Sequence, residues 1–244
     1  MLHSRGGLAL LSLLLPVVVH AQEPEGAGPE SRIARPYLYG SFVRVGAGIT
    51  APLFPSGSMH DWARGWQTAA SWESTGGGRG GNVSRVALGF AGDFGRFPLD
   101  ERQFIANFTS GGAQPTAATA PDATLVDVQA TVRINFPAPV VTPSVLFALG
   151  YYNFHPSRVT FQSPDSTGVA RFRSRSGASL SIGFGLDRQI AGPAGAFVEG
   201  TYLLGATSFG FVAANSRCGT TSCDVFDNTY IGALRSGLRF RVGR

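Results

Sequence analysis

The segment "NFHPSRV" places His155 and Ser157 two residues apart, a spacing that on an extended chain puts both side chains on one face. A histidine beside a serine is the base and nucleophile of a hydrolytic centre, which also needs an acid to orient the ring. The nearest acid is Asp165, in a segment that reads as a loop, and Pro156 interrupts the strand. The plainer reading is a histidine at a strand end followed by a turn, so no catalytic residue is assigned. "GGGRGG" lacks the G-K-[ST] ending of a phosphate loop and reads as a flexible turn. Cys218 and Cys223, in "CGTTSC", are too few for a metal site, with His60 and His155 far away in sequence. Neither a metal nor a cofactor is expected.

The amino terminus sets the compartment. "MLHSRGG" carries one arginine, "LALLSLLLPVVV" is an apolar core broken by one proline, and "VHA" precedes "QEPE". This is the pattern of a secretory signal peptide over 1–21, since the apolar run is short of the ~18–20 residues of a spanning helix. Residues 22–35 read as a polar leader, and 36–244 as one domain. After export, Cys218 and Cys223 are expected to form a disulfide.

Composition narrows the class. Glycine accounts for 33 of 244 residues, aromatics for 11 % and charged residues for only 14 %, well below the ~25 % of a soluble domain. The 20 basic residues, all arginine, exceed the 15 acids by a net +5. They are dispersed apart from Arg171, Arg173 and Arg175, which argues against a nucleic-acid partner.

Positioning falls to segments of period 2. These run over 36–50, 64–74, 83–95, 124–136, 140–154, 176–190, 194–209 and 228–242. In the clearest, Val126, Val128, Ala130, Val132, Ile134 and Phe136 alternate with Asp127, Gln129, Thr131, Arg133 and Asn135. Between 51 and 110 the borders are open: "ERQFIANF" is an alternative strand, and "SMHDWARGW" fits a helical turn capped by Ser58. The connections at 75–82, 137–139 and 192–193 are short. Those at 51–63, 96–123, 155–175 and 210–227 are long. Eight strands with short turns at one end and long loops at the other predict an all-β, antiparallel, up-and-down transmembrane β-barrel, turns periplasmic and loops outermost.

Alternation does not say which face is inside. The polar positions settle it, because they are mostly Gly, Ala and Ser with scattered charges, which suits the crowded lumen of an eight-stranded barrel. Lumen charges must find partners. The expected network contains Arg44, Arg85, Asp93, Asp127, Arg133, Asp187, Glu199, Arg235 and Arg239. Tyr37, Trp66, Trp72, Tyr151, Tyr152 and Phe154 are expected in interfacial aromatic girdles.

The stretch from 124 to 242 resembles the bacterial outer-membrane β-barrel domain family, the small eight-stranded barrels related to OmpA and OmpX. "VRINFPAPVVTPSVLFALGYYNF" is similar to the family's strand, short Pro-containing turn and strand ending in a Gly-aromatic run. "GAFVEGTYLLG" and "SGLRFRV" are similar to its Phe-Val-Glu strand and its closing strand. The resemblance implies a carboxy-terminal strand read by the barrel-assembly machinery, with Arg235, Gly237, Phe240 and Val242 at the matching places. Val242 stands where an aromatic is commoner, and Gly243 and Arg244 extend past the match. His155 and Ser157 also resemble the pair used by lipid A deacylase barrels.

The leading expectation is an integral outer-membrane barrel, porin-like in fold but without enzymatic activity, with a structural or surface-interaction role. Its expected partners are outer-membrane lipid, lipopolysaccharide and the assembly machinery, with a surface ligand unknown. Two alternatives belong to other classes: a soluble periplasmic lipocalin-like binding barrel, and a lipid A-modifying hydrolase using His155 and Ser157.

Overall fold

The computed structural model describes residues 40–53, 59, 61–77, 83–108, 114–136, 138, 140–164, 166–172, 174–206 and 229–242. In chain order the elements are β1 (Gly40–Pro52), β2 (Gly65–Gly77), β3 (Val83–Phe97), α1 (Glu101–Asn107), β4 (Ala117–Thr119), β5 (Ala123–Asn135) and β6 (Thr142–His155). They continue with β7 (Val159–Ser163), β8 (Ser166–Ala170), β9 (Arg175–Ala191), β10 (Ala194–Ala206) and β11 (Thr229–Val242).

Eight of these strands close a barrel in the order β1-β11-β10-β9-β6-β5-β3-β2, every neighbouring pair antiparallel. Closure is made by β1 and β11, which pair from Ser41↔Val242 to Pro52↔Ile231. A closed sheet leaves no edge strand with unpaired backbone groups. This seam needs close approach where Gly46 faces Gly237: a Cβ on Gly237 would lie 2.1 Å from the Val45 carbonyl oxygen. The two tight turns and the Gly-rich one lie at one end, here the turn end, and the long connections at the other, the loop end.

The faces follow the period of 2. Inward positions are buried, and outward positions such as Phe90, Leu149 and Phe184 are 63–66 % exposed. Polar groups therefore fill the interior while an apolar belt faces out, the reverse of a soluble lipocalin-like barrel with an apolar cavity.

The loop end holds what period-2 reading could not supply. β4, β7 and β8 form a separate three-stranded sheet. The "ERQFIANF" segment is a helix, not a barrel strand. Asp100 caps it by accepting the Gln103 backbone N–H at 3.1 Å, and Phe104 and Phe108, four apart, stack at 4.9 Å. Among the described residues of "SMHDWARGW", Trp62 N–H donates to the Met59 carbonyl at 3.2 Å, and Trp62 bridges to Leu99. Ser58 lies outside the described residues.

Candidate functional site: a charged lumen under an aromatic cap

The lumen is layered along its axis. Nearest the turn end, Arg44 on β1 donates to Asp187 on β9 at 2.9 Å and lies 3.6 Å from Glu73 on β2. Arg239 on β11 approaches Asp187 at 3.9 Å, with its guanidinium 3.6 Å from the centre of the Phe42 ring. Arg44 sits similarly over Phe197, at 4.3 Å.

Above these, Arg133 on β5 holds three strands together. It donates to Glu73 at 2.8 Å and to the Ser144 hydroxyl of β6 at 3.1 Å, and it pairs with Glu199 of β10 at 2.5 Å. Glu199 also accepts from Arg235 of β11, whose other nitrogen reaches Asp93 on β3. Every barrel strand thus contributes a side chain to one connected network. Such charges are tolerated in a low-dielectric interior because each has opposite charge or hydroxyl donors around it. Voids of about 10 and 20 Å³ remain among these side chains, room for about one water each.

Two expected members stand apart. Asp127 is buried in the lumen, but its bonded partner is the Ser179 hydroxyl at 2.7 Å, not an arginine. Arg85 shares the lumen parity yet is exposed beyond the network at the turn end, where among the described residues it makes no ion pair. Glu73 was not among the expected residues, although its parity with Gln67 and Ser71 placed it on the polar face of its strand.

Towards the loop end, polar side chains give way to Leu125, Tyr152, Leu203 and Ile231, and then to a cap of Trp62, Phe97, Phe104, Phe154, Val159 and Phe161. Trp62 packs edge-on to Phe154 and Phe172, and Phe104 on Phe161 and Phe172. Three long connections supply the cap and are tied by backbone bonds: Ala63 N–H to the Pro98 carbonyl at 2.9 Å, Asp100 N–H to Asp61 at 2.8 Å, and Thr116 N–H to Gln162 at 2.7 Å. β4 pairing with β7 completes the link. Tyr152 and Phe154 therefore belong to the interior and not to an outward girdle, since their parity is that of Leu146 and Ala148. Tyr151, Trp66 and Trp72 do face outwards.

His155 and Ser157 do not engage each other. The His155 Nδ1 lies 2.6 Å from the Ser174 hydroxyl, and the Ser157 hydroxyl donates to the Asp122 carbonyl at 2.8 Å. Asp165, Cys218, Cys223 and Tyr37 are outside the described residues. On β11, Arg235 points into the lumen, Gly237 makes the tight seam with β1, and Phe240 and Val242 face outwards, 39 % and 38 % exposed. Gly243 and Arg244 are outside the described residues.

The fold is a closed barrel of eight antiparallel strands with a filled polar interior. Among solved structures, the crystal structure of Neisserial surface protein A (NspA) is 14 % identical, covering 83 % of this chain and 97 % of that one, with a TM-score of 0.45. Ail of Yersinia pestis, the attachment invasion locus protein, is 14 % identical over 82 % and 99 %, at a TM-score of 0.36. The N-terminal barrel domain of Pseudomonas aeruginosa OprF is 12 % identical over 83 % and 98 %, at 0.36. No protein-family model and no curated protein matches the chain.

Proposed function

We propose that this chain is an integral outer-membrane barrel, exported by its amino-terminal segment, whose role is structural or lies in surface interaction through the loop end, without catalysis. The observation that carries this reading is the inverted polarity of the barrel. Large apolar side chains stand exposed around the outside while arginines and carboxylates are buried within. In water such a belt costs free energy over a large area, whereas in a bilayer it is the face that lipid requires. The strands of 13–17 residues exceed the ~9–11 needed to cross while tilted.

The lumen is packed and capped, which favours a surface role over conduction. The separation of His155 from Ser157 favours a non-enzymatic role over lipid A hydrolysis. In this reading the turns face the periplasm and the loops face outwards. The partners are outer-membrane lipid, lipopolysaccharide and, during biogenesis, the barrel-assembly machinery reading β11. The test is fractionation with electrophoresis. The protein should resist carbonate extraction from outer membranes and, unboiled, migrate differently in SDS from its boiled form. Carbonate release together with identical migration would overturn the reading.

A further inference from the structure

One side of the barrel carries two parallel rows of outward side chains, each joined strand to strand by the sheet register. The lower row is Trp72–Phe90–Ala130–Leu149–Leu180, and the upper is Trp66–Arg96–Thr124–His155, which continues to Ser174 through its bond to His155. On every strand the two rows stand six residues apart.

The lower row is hollow. Ala130 is its smallest side chain, set between Phe90 and Leu149, which stand 63 % and 65 % exposed, with Trp72 and Leu180 beyond them. An open concavity of about 700 Å³ results, lined almost wholly by apolar atoms. The upper row is cationic. Arg96 is exposed on the outward face, and Arg64, also exposed, sits diagonally across from it just before β2. Neither makes an ion pair with a described residue. Among the described residues of the adjoining connections, Arg64, Arg96, Arg102, Arg158 and Arg171 outnumber Asp61, Asp100, Glu101 and Asp122, which leaves this rim net positive. The opposite side differs: the outward positions at the loop ends of β10, β11 and β1 are Leu204, Tyr230 and Ala51.

The spacing matches one kind of molecule. Six residues span ~20 Å along a strand, and a tilt of ~35–45° reduces this to ~15 Å of depth. That is half the ~30 Å hydrocarbon core. A groove at mid-depth lies where acyl chains of one leaflet end, and a cationic rim lies where their headgroups begin. Resting on the membrane reading above, we infer that the β2–β9 side is a binding strip for a phosphorylated, acylated lipid of the outer leaflet. Arg64 and Arg96 hold its phosphate by charge-assisted hydrogen bonds, and one of its acyl chains lies in the hollow over Ala130.

The test uses the full chain folded in detergent micelles and titrated with purified bisphosphorylated lipid A, or with the same lipid stripped of its phosphates. The unsubstituted protein should prefer the phosphorylated form. Combined Arg64→Gln and Arg96→Gln should weaken binding about tenfold, the loss of a charge-assisted hydrogen bond, and abolish the preference. Ala130→Phe, which fills the hollow from outside, should weaken both lipids alike. Arg188→Gln, outward at the turn end, should change neither. Heat-modifiable migration of each variant certifies folding. Folded protein that binds the two lipids equally, or that ignores the arginine or Ala130 substitutions, overturns the inference while leaving the barrel intact. Absence of heat-modifiable migration in the unsubstituted chain overturns the membrane reading and the strip with it.

Discussion

Arg133 and Glu199 meet at 2.5 Å across the lumen, although β5 and β10 are separated around the wall by β6 and β9. The pair is therefore a cross-brace, holding together strands that share no backbone bond. Glu199 also anchors Arg235, so one carboxylate serves two cations.

Removing that carboxylate leaves two buried guanidiniums short of a partner. Glu199→Ala should cost about 3–5 kcal/mol, the range for breaking a buried pair. Val198→Ala, on the adjacent outward position, should cost much less. Urea unfolding of the detergent-folded protein, followed by the loss of the fast- or slow-migrating folded band, measures both. Equal effects would mean that the inward and outward faces are assigned the wrong way round.

The cap should be separable from the wall. Trp62 is 3 % exposed and touches Phe154 and Phe172, so Trp62→Ala removes a large buried side chain, worth about 3–5 kcal/mol in a well-packed core. None of the barrel's backbone pairing depends on it. We expect faster proteolytic cleavage within 98–122 and unchanged heat-modifiable migration. Loss of the folded band would show that cap and barrel fold as one unit.

Biogenesis should depend on Phe240 and not on the last two residues. Phe240 faces outwards, so Phe240→Ala removes little internal packing and tests recognition by the assembly machinery. Gly237 is a poorer probe, because an added Cβ would collide with the Val45 carbonyl whatever the machinery reads. Outer-membrane abundance at matched expression should fall for Phe240→Ala and hold when Gly243 and Arg244 are deleted. The opposite pattern would remove β11 as the recognised element.

Lipid A from cells expressing the protein should have the same acyl composition with His155→Ala as without. The His155 ring is engaged by Ser174, and Ser157 donates its hydroxyl to a carbonyl, so neither is arranged as base and nucleophile. A change in acylation on this substitution would restore the hydrolase.

The wall of this protein was legible because period-2 alternation is local: β5 could be drawn from Thr124 to Phe136, one residue off at each border of Ala123–Asn135. The lumen was legible for a second reason, that Gly, Ala and Ser on a polar face imply crowding and not solvent. Glu73 escaped because it is the one acid in a segment dominated by its tryptophans. Tyr152 and Phe154 were misplaced because aromatic type outweighed parity, which alone would have turned them inwards. The cap was hidden for a deeper reason. Trp62, Phe104 and Phe161 come from three connections with no common period, and nothing local to any of them says that they will meet.

That meeting has a consequence for whatever approaches the loop end. Because the described residues of 53–64, 98–122 and 156–174 are stitched by Ala63–Pro98, Asp100–Asp61 and Thr116–Gln162 bonds, these distant chain segments present one folded plate. Recognition there is discontinuous in sequence. A peptide copied from any one connection would lack the neighbours that hold its shape, and antibodies selected on the folded plate should fail on the boiled chain. A substitution deep in Trp62 or Phe161 should in turn alter the plate's outer features without touching a single residue that a partner contacts.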